Sequence, residues 1–146
     1  ETALLKVSSK KEKARLHKPI KNIKLLLEEI EGFSFNLYLC CLMTYGCLLR
    51  PHREIRELTW GDFSDDSSYI KLDGNRNKSG KNRIVPIPGY IRDNLQPKTA
   101  NLNVFTGDLR APNYDYFKTL WGRFKSTSKH LKKGQTLYSF RHSGAI

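Results

Sequence analysis

Residues 35–49 form the longest apolar stretch of this chain and constrain its fold more than any other segment. A bilayer span needs roughly 18 to 20 consecutive apolar residues. This stretch is shorter, and Asn36, Thr44 and Gly46 interrupt it. It reads as a buried core helix, N-capped by Ser34 and running through Leu37, Cys41, Tyr45 and Leu48. Because it is apolar nearly all round, it belongs at the centre of the domain. A chain of 146 residues is one domain by length, with room for a sizeable core around that helix. Cys40, Cys41 and Cys47 all lie on it without metal or redox spacing. They are expected to be reduced core thiols, as in a cytosolic protein.

The elements around this helix follow from periodicity. Ile20, Ile23, Leu26, Leu27 and Ile30 fall at helical spacing after Pro19, and Gly32 is expected to end that helix. Arg50-Pro51 turns the chain into a third helix, with Pro51 in its first turn and Ile55, Leu58 and Trp60 inward; Gly61, Asp62 and Phe63 end it. The period then changes. Residues 69–72 and 83–88 read as strands, the second an edge strand because of Pro86. Residues 73–82 are the polar hairpin tip between them. A short helix is expected over 90–95. Asn113 is the expected N-cap of a helix with Tyr116, Phe117, Leu120, Trp121 and Phe124 inward, and a last helix starts at Leu137. The fold class is therefore α+β, mainly α-helical with one small antiparallel β-hairpin. Trp60 and Trp121 are expected in the core, and His17, His52 and His130 on the surface.

Lysine and arginine outnumber aspartate and glutamate by 26 to 14, a net charge of +12. Such an excess points to a polyanionic partner, most often nucleic acid. Residues 1–24 carry eight Lys/Arg against two Glu, with little apolar periodicity before Pro19. Residues 1–17 are therefore expected to be a basic linker or arm, and 18–146 a domain. The hairpin tip holds Arg76, Lys78, Lys81 and Arg83, and the segment after Trp121 adds Arg123, Lys125 and Lys129. These are the candidate DNA-binding cations. Arg50, Lys78 and Arg141 sit at element boundaries, where side chains from distant parts of the chain can converge on one phosphate.

In order along the chain come Gly46-Cys47-Leu48-Leu49-Arg50-Pro51, Glu54-Ile55, Leu58-Thr59-Trp60-Gly61-Asp62-Phe63, Asn77-Lys78-Ser79-Gly80-Lys81-Asn82-Arg83-Ile84-Val85-Pro86 and Tyr138-Ser139-Phe140-Arg141-His142. Over residues 18–146 this series resembles the catalytic domain of the tyrosine recombinases, the phage-integrase family, of the mobile-element type. The resemblance implies site-specific DNA recombination through a 3′-phosphotyrosyl intermediate, without metal, ATP or other cofactor. It implies double-stranded DNA as partner, a tetramer on DNA for a full-length protein, a monomer for a fragment, no membrane, and a prokaryotic, cytoplasmic, nucleoid-associated setting. Arg50 and Arg141 match the two catalytic arginines. Lys78 matches the hairpin lysine that protonates the leaving oxygen, Glu54 the acid supporting the first arginine, and His142 the histidine after the second.

Two departures stand out. Glu54 follows Arg50 by four residues where the pattern has three, which makes Arg53 a competitor for the arginine role. Tyr138 stands where the family has histidine. With a reference pKa of about 10 it is a phosphate donor rather than a neutral-pH base. The chain opens at Glu1 without Met and ends five residues after Arg141, ahead of where the attacking tyrosine is expected. It is therefore expected to be a C-terminally truncated catalytic fragment, inactive alone but DNA-binding. The alternative is a non-catalytic DNA-binding module with the same fold. A metal-dependent nuclease is a weaker third reading, since no carboxylate pair is placed to hold metal.

Overall fold

A computed structural model describes residues 22–76 and 80–145, with Arg76 described by its backbone alone. The basic arm over 1–17, Pro19, Ile20, Lys78 and Ile146 lie outside those residues. Helix α1 spans Ile23–Phe33 and helix α2 spans Phe35–Gly46. Ser34 divides them. Its backbone is extended, its N–H closes α1 on the Ile30 carbonyl at 2.9 Å, and its hydroxyl caps α2 by accepting the Leu37 N–H at 3.2 Å. The expected stop at Gly32 is thereby corrected. Gly32 lies inside α1, where an added Cβ would meet nothing, and Ser34 breaks the helix instead.

Helix α2 is the centre of the molecule. Leu37, Cys40, Cys41, Met43 and Thr44 are fully buried on it, and the Thr44 hydroxyl is satisfied by the Cys40 carbonyl at 2.7 Å. The three cysteines are free and buried. Burial pushes the Cys47 thiol up to about 12 and the other two higher still, so all three stay protonated. No described helix is long and apolar enough to cross a membrane.

The expected third helix proves to be two short pieces. Pro51–Ile55 is a single π-helical turn, and Trp60–Asp62 is a separate 3-10 turn. The Asp62 carboxylate accepts the Thr59 N–H at 2.9 Å, so this second turn starts afresh with its own capping box. Ile55, Leu58 and Trp60 are buried as expected. Strands β1 (Tyr69–Leu72) and β2 (Arg83–Pro86) pair antiparallel, with Ile70 opposite Val85 and Leu72 opposite Arg83. Ile70, Leu72 and Val85 face the core, whereas Lys71 and Ile84 face out, the alternation a half-buried hairpin requires.

Helix α3 (Gly89–Arg92) is shorter than expected, and a long loop leads from it to helix α4 (Tyr116–Thr127). Asn103, almost fully buried, pins that loop: its amide donates to the Arg56 carbonyl at 2.9 Å and its oxygen accepts the Phe105 N–H at 2.9 Å. The expected N-cap at Asn113 is also corrected. Asn113 accepts the Asp115 N–H at 3.1 Å in a turn leading into the helix, and Asp115 holds the cap position. Phe117, Trp121 and Phe124 are buried on α4. Helix α5 (Leu137–Ala145) makes the most extensive packing against α2. Glycine at 144 makes this possible, since a Cβ there would overlap the Tyr45 carbonyl oxygen at the end of α2.

Candidate functional site

The end of α2 and the start of α5 define one cluster. Arg50 precedes a proline, whose ring disfavours the helical conformation for its neighbour. Its backbone is accordingly extended, at φ −86° and ψ 127°. In the π-turn that follows, the amides of Ile55 and Arg56 each donate to the carbonyl five residues back, Arg50 and Pro51, at 3.0 Å. A π-turn takes up one residue more than an α-turn. Within this turn Glu54 Oε1 accepts the Arg50 N–H at 2.8 Å. Arg53, the competitor for the arginine role, is exposed to solvent.

Glu54 is only 1% exposed. Its second oxygen lies 3.5 Å from Arg83 Nη1, an ion pair without hydrogen-bond geometry. Arg83 shares the inner face of β2 with Val85, two residues on, so the strand period turns it toward the cluster. Arg83, a candidate DNA-binding cation, thus has its guanidinium facing a buried carboxylate while its side chain stays 38% exposed. The base of the hairpin whose tip carries Lys78 is thereby fastened to the Arg50 turn.

Arg141 arrives from the other side. Leu48 holds a left-handed backbone conformation, φ 57°, uncommon for a side chain of its size. Its carbonyl accepts Arg141 Nε at 2.9 Å. Arg141 is therefore anchored two residues from Arg50, although the two are ninety-one positions apart in the chain (141 − 50). Tyr138, three residues before Arg141 on α5, is half-buried. Burial pushes its hydroxyl up; Arg50 and Arg141 act against that shift, and Tyr114 and Glu54 act with it. The phenol stays protonated close to Arg50 and Arg141. His142 is also half-buried on α5.

Three residues of this neighbourhood escape the sequence reading. His52, expected at the surface, is half-buried, with its ring 6.3 Å from that of Tyr138 and 5.8 Å from that of Tyr114. Arg56 donates from Nε to the His52 carbonyl at 3.0 Å and from Nη1 to the Pro112 carbonyl at 2.7 Å, and lies 5.3 Å over the Tyr114 ring. It clips the loop before α4 onto the π-turn. The extra residue between Arg50 and Glu54 is the one sequence signal that this turn is unusual.

The remaining candidate cations lie elsewhere. Lys81 is exposed at the hairpin tip, Arg123 and Lys125 are exposed on α4, and Lys129 is exposed just past its end. Among the described residues, the side chains of Arg123, Lys125 and Lys129 form no hydrogen bond or ion pair with the cluster. Lys78 and the side chain of Arg76 fall outside the described residues. Among the described residues, no three His, Cys, Asp or Glu side chains gather in a way that could hold a metal ion.

A central apolar helix, a two-stranded hairpin and a closing helix that meets the end of the first define a mixed helical fold with an arginine cluster at the junction. That fold is similar to one solved structure, the Tn1549 transposon integrase (residues 82–397) in complex with circular intermediate DNA. The TM-score is 0.50 at 20% sequence identity, over 86% of this chain. The chain spans 50% of the length of that integrase chain. At this identity the likeness establishes the fold. No protein-family model matches the sequence, and no curated protein matches it either.

Proposed function

We propose that this chain is the arginine-bearing part of a tyrosine-type site-specific DNA recombinase, an integrase of the mobile-element type. The observation that carries this reading is the meeting of Arg50 and Arg141 around Tyr138. The Leu48 carbonyl holds Arg141 Nε, the buried Glu54 carboxylate holds the Arg50 backbone N–H two residues on, and both arginines act electrostatically on the Tyr138 phenol. The likeness in fold to an integrase solved with DNA supports it.

On this reading a tyrosine hydroxyl supplied by a longer form of the chain attacks the scissile phosphorus. Charge builds on the non-bridging oxygens, and rigid donors bind that charge more strongly than they bind the ground-state diester. Arg50 and Arg141 are those donors, with Tyr138 adding a neutral O–H. Glu54 fixes the Arg50 backbone, and His142 supports the arginine beside it. Lys78 gives a proton to the departing 5′-oxygen. The 3′-phosphotyrosyl bond conserves the energy of the bond broken, so rejoining needs neither metal nor ATP. Lys81, Arg123, Lys125, Lys129 and the Arg76 side chain meet the phosphate backbone.

The test is formation of a covalent protein–DNA adduct by the full-length protein on nicked duplex carrying its site. The expected adduct survives denaturant, forms in EDTA, and is accompanied by duplex affinity that falls steeply as salt rises. Tight binding with no adduct identifies a DNA-binding module of the same fold. Cleavage that appears only on adding a divalent metal contradicts the proposal outright.

A further inference from the structure

His52 is fixed in place but has nothing to bind. Its backbone is held through Arg56, which also ties down the Tyr114 loop, and its ring stands between Tyr114 and Tyr138. Yet the ring forms no hydrogen bond among the described residues, and its Nδ1 is buried without a partner. Nδ1 is left unpaired in either tautomer, so Nε2 is the ring nitrogen remaining to meet a ligand, as a donor when the neutral ring carries its proton there.

Burial and three charged neighbours bear on the charge of this ring. Burial lowers its affinity for a proton, as do Arg56 on its own turn and Lys118 on α4, while Asp115 from the loop acts against them. The rings of Tyr114 and Tyr138 flank it, and Arg50 and Arg141 act on Tyr138 beyond. At neutral pH the imidazole is uncharged. The π-turn that places it is a geometry often met at functional sites.

We propose that His52 donates its Nε2–H to a non-bridging oxygen of the same DNA phosphate that Arg50 and Arg141 engage. This rests on the reading under Proposed function that the arginine cluster holds a phosphodiester. It assigns the imidazole of the site to the turn after the first arginine, beside a Tyr138 that brings a phenol only.

The test uses the chain itself, isotopically labelled, with ring nitrogens followed by NMR as short duplex DNA is added. Without DNA, His52 is expected in the Nε2–H form, titrating below the ordinary value of 6.5. Duplex should shift its Nε2 resonance and raise its pKa toward that value or beyond. Removing the donor with His52→Leu should weaken duplex binding about tenfold, the expected size for a bond to a charged group. His52→Gln, which keeps an N–H at that reach, should recover most of it. An Nδ1–H tautomer, or a ring unmoved while duplex binds, overturns the inference and leaves the recombinase reading standing. Failure of the chain to bind duplex at all overturns both. If His52→Leu does not fold, the wild-type tautomer and the His52→Gln affinity still decide the matter.

Discussion

Arg141→Ala lowers the rate of DNA strand cleavage by about 10²–10³-fold, the loss that follows removal of one preorganised donor from a developing oxyanion. Its Nε is committed to the Leu48 carbonyl, so the terminal nitrogens of the guanidinium are the ones free to face a phosphate. Alanine removes charge, fork and anchor together. Arg141→Lys recovers little, because an ammonium is a point charge with no second nitrogen to keep hold of Leu48 while presenting a bidentate edge. The readout is the single-turnover rate of covalent-adduct formation by the full-length protein in EDTA at saturating DNA. A change of less than threefold would remove Arg141 from the chemistry.

Glu54→Ala carries the largest expected effect on stability. Two things are lost: the acceptor for the Arg50 N–H at 2.8 Å, and the carboxylate that Arg83 faces at 3.5 Å. Leaving the backbone N–H of the turn unsatisfied dominates, at about 2–3 kcal/mol. Arg83 is more than a third exposed, so it turns to water and adds little. For a domain of this size the loss corresponds to a melting temperature lower by about 6–10 °C. Glu54→Gln keeps the carbonyl acceptor and is expected to cost less than half as much. A melting point within 2 °C of the wild type for the alanine variant would mean that the carboxylate does not hold the turn.

How much of this was legible in the sequence depends on whether a local rule was in force. The α2 helix could be read because its apolar residues leave no solvent face, and its start because Ser34 is an N-cap residue ahead of them. The hairpin could be read from alternation. The extended backbone at Arg50 follows from Pro51 alone. The π-turn could not be read, because hydrogen bonds five residues apart leave no period in five residues. Only the extra position between Arg50 and Glu54 hinted at it. Gly32 was misleading because glycine is tolerated at an open helical position when the next break, Ser34, is stronger.

The cluster was half-legible for the same reason. Arg50, Tyr138 and Arg141 stand out by motif. Arg83 reads as a surface cation until the pleat is followed from Val85. His52, Arg56 and Tyr114 come together only through packing of the π-turn against the loop before α4, which no local pattern encodes. A histidine amid basic residues reads as a surface group, and its burial is a tertiary fact.

The central claim is that Arg50 and Arg141 act on a single phosphate, and a double-mutant cycle tests it most directly. Duplex DNA affinity is measured at one fixed salt concentration for the wild-type chain, Arg50→Gln, Arg141→Gln and the double variant. Shared engagement predicts a double variant that loses less than the sum of the single losses, by about 0.5 kcal/mol or more. Losses that add within error would place the two arginines on separate phosphates and contradict the account.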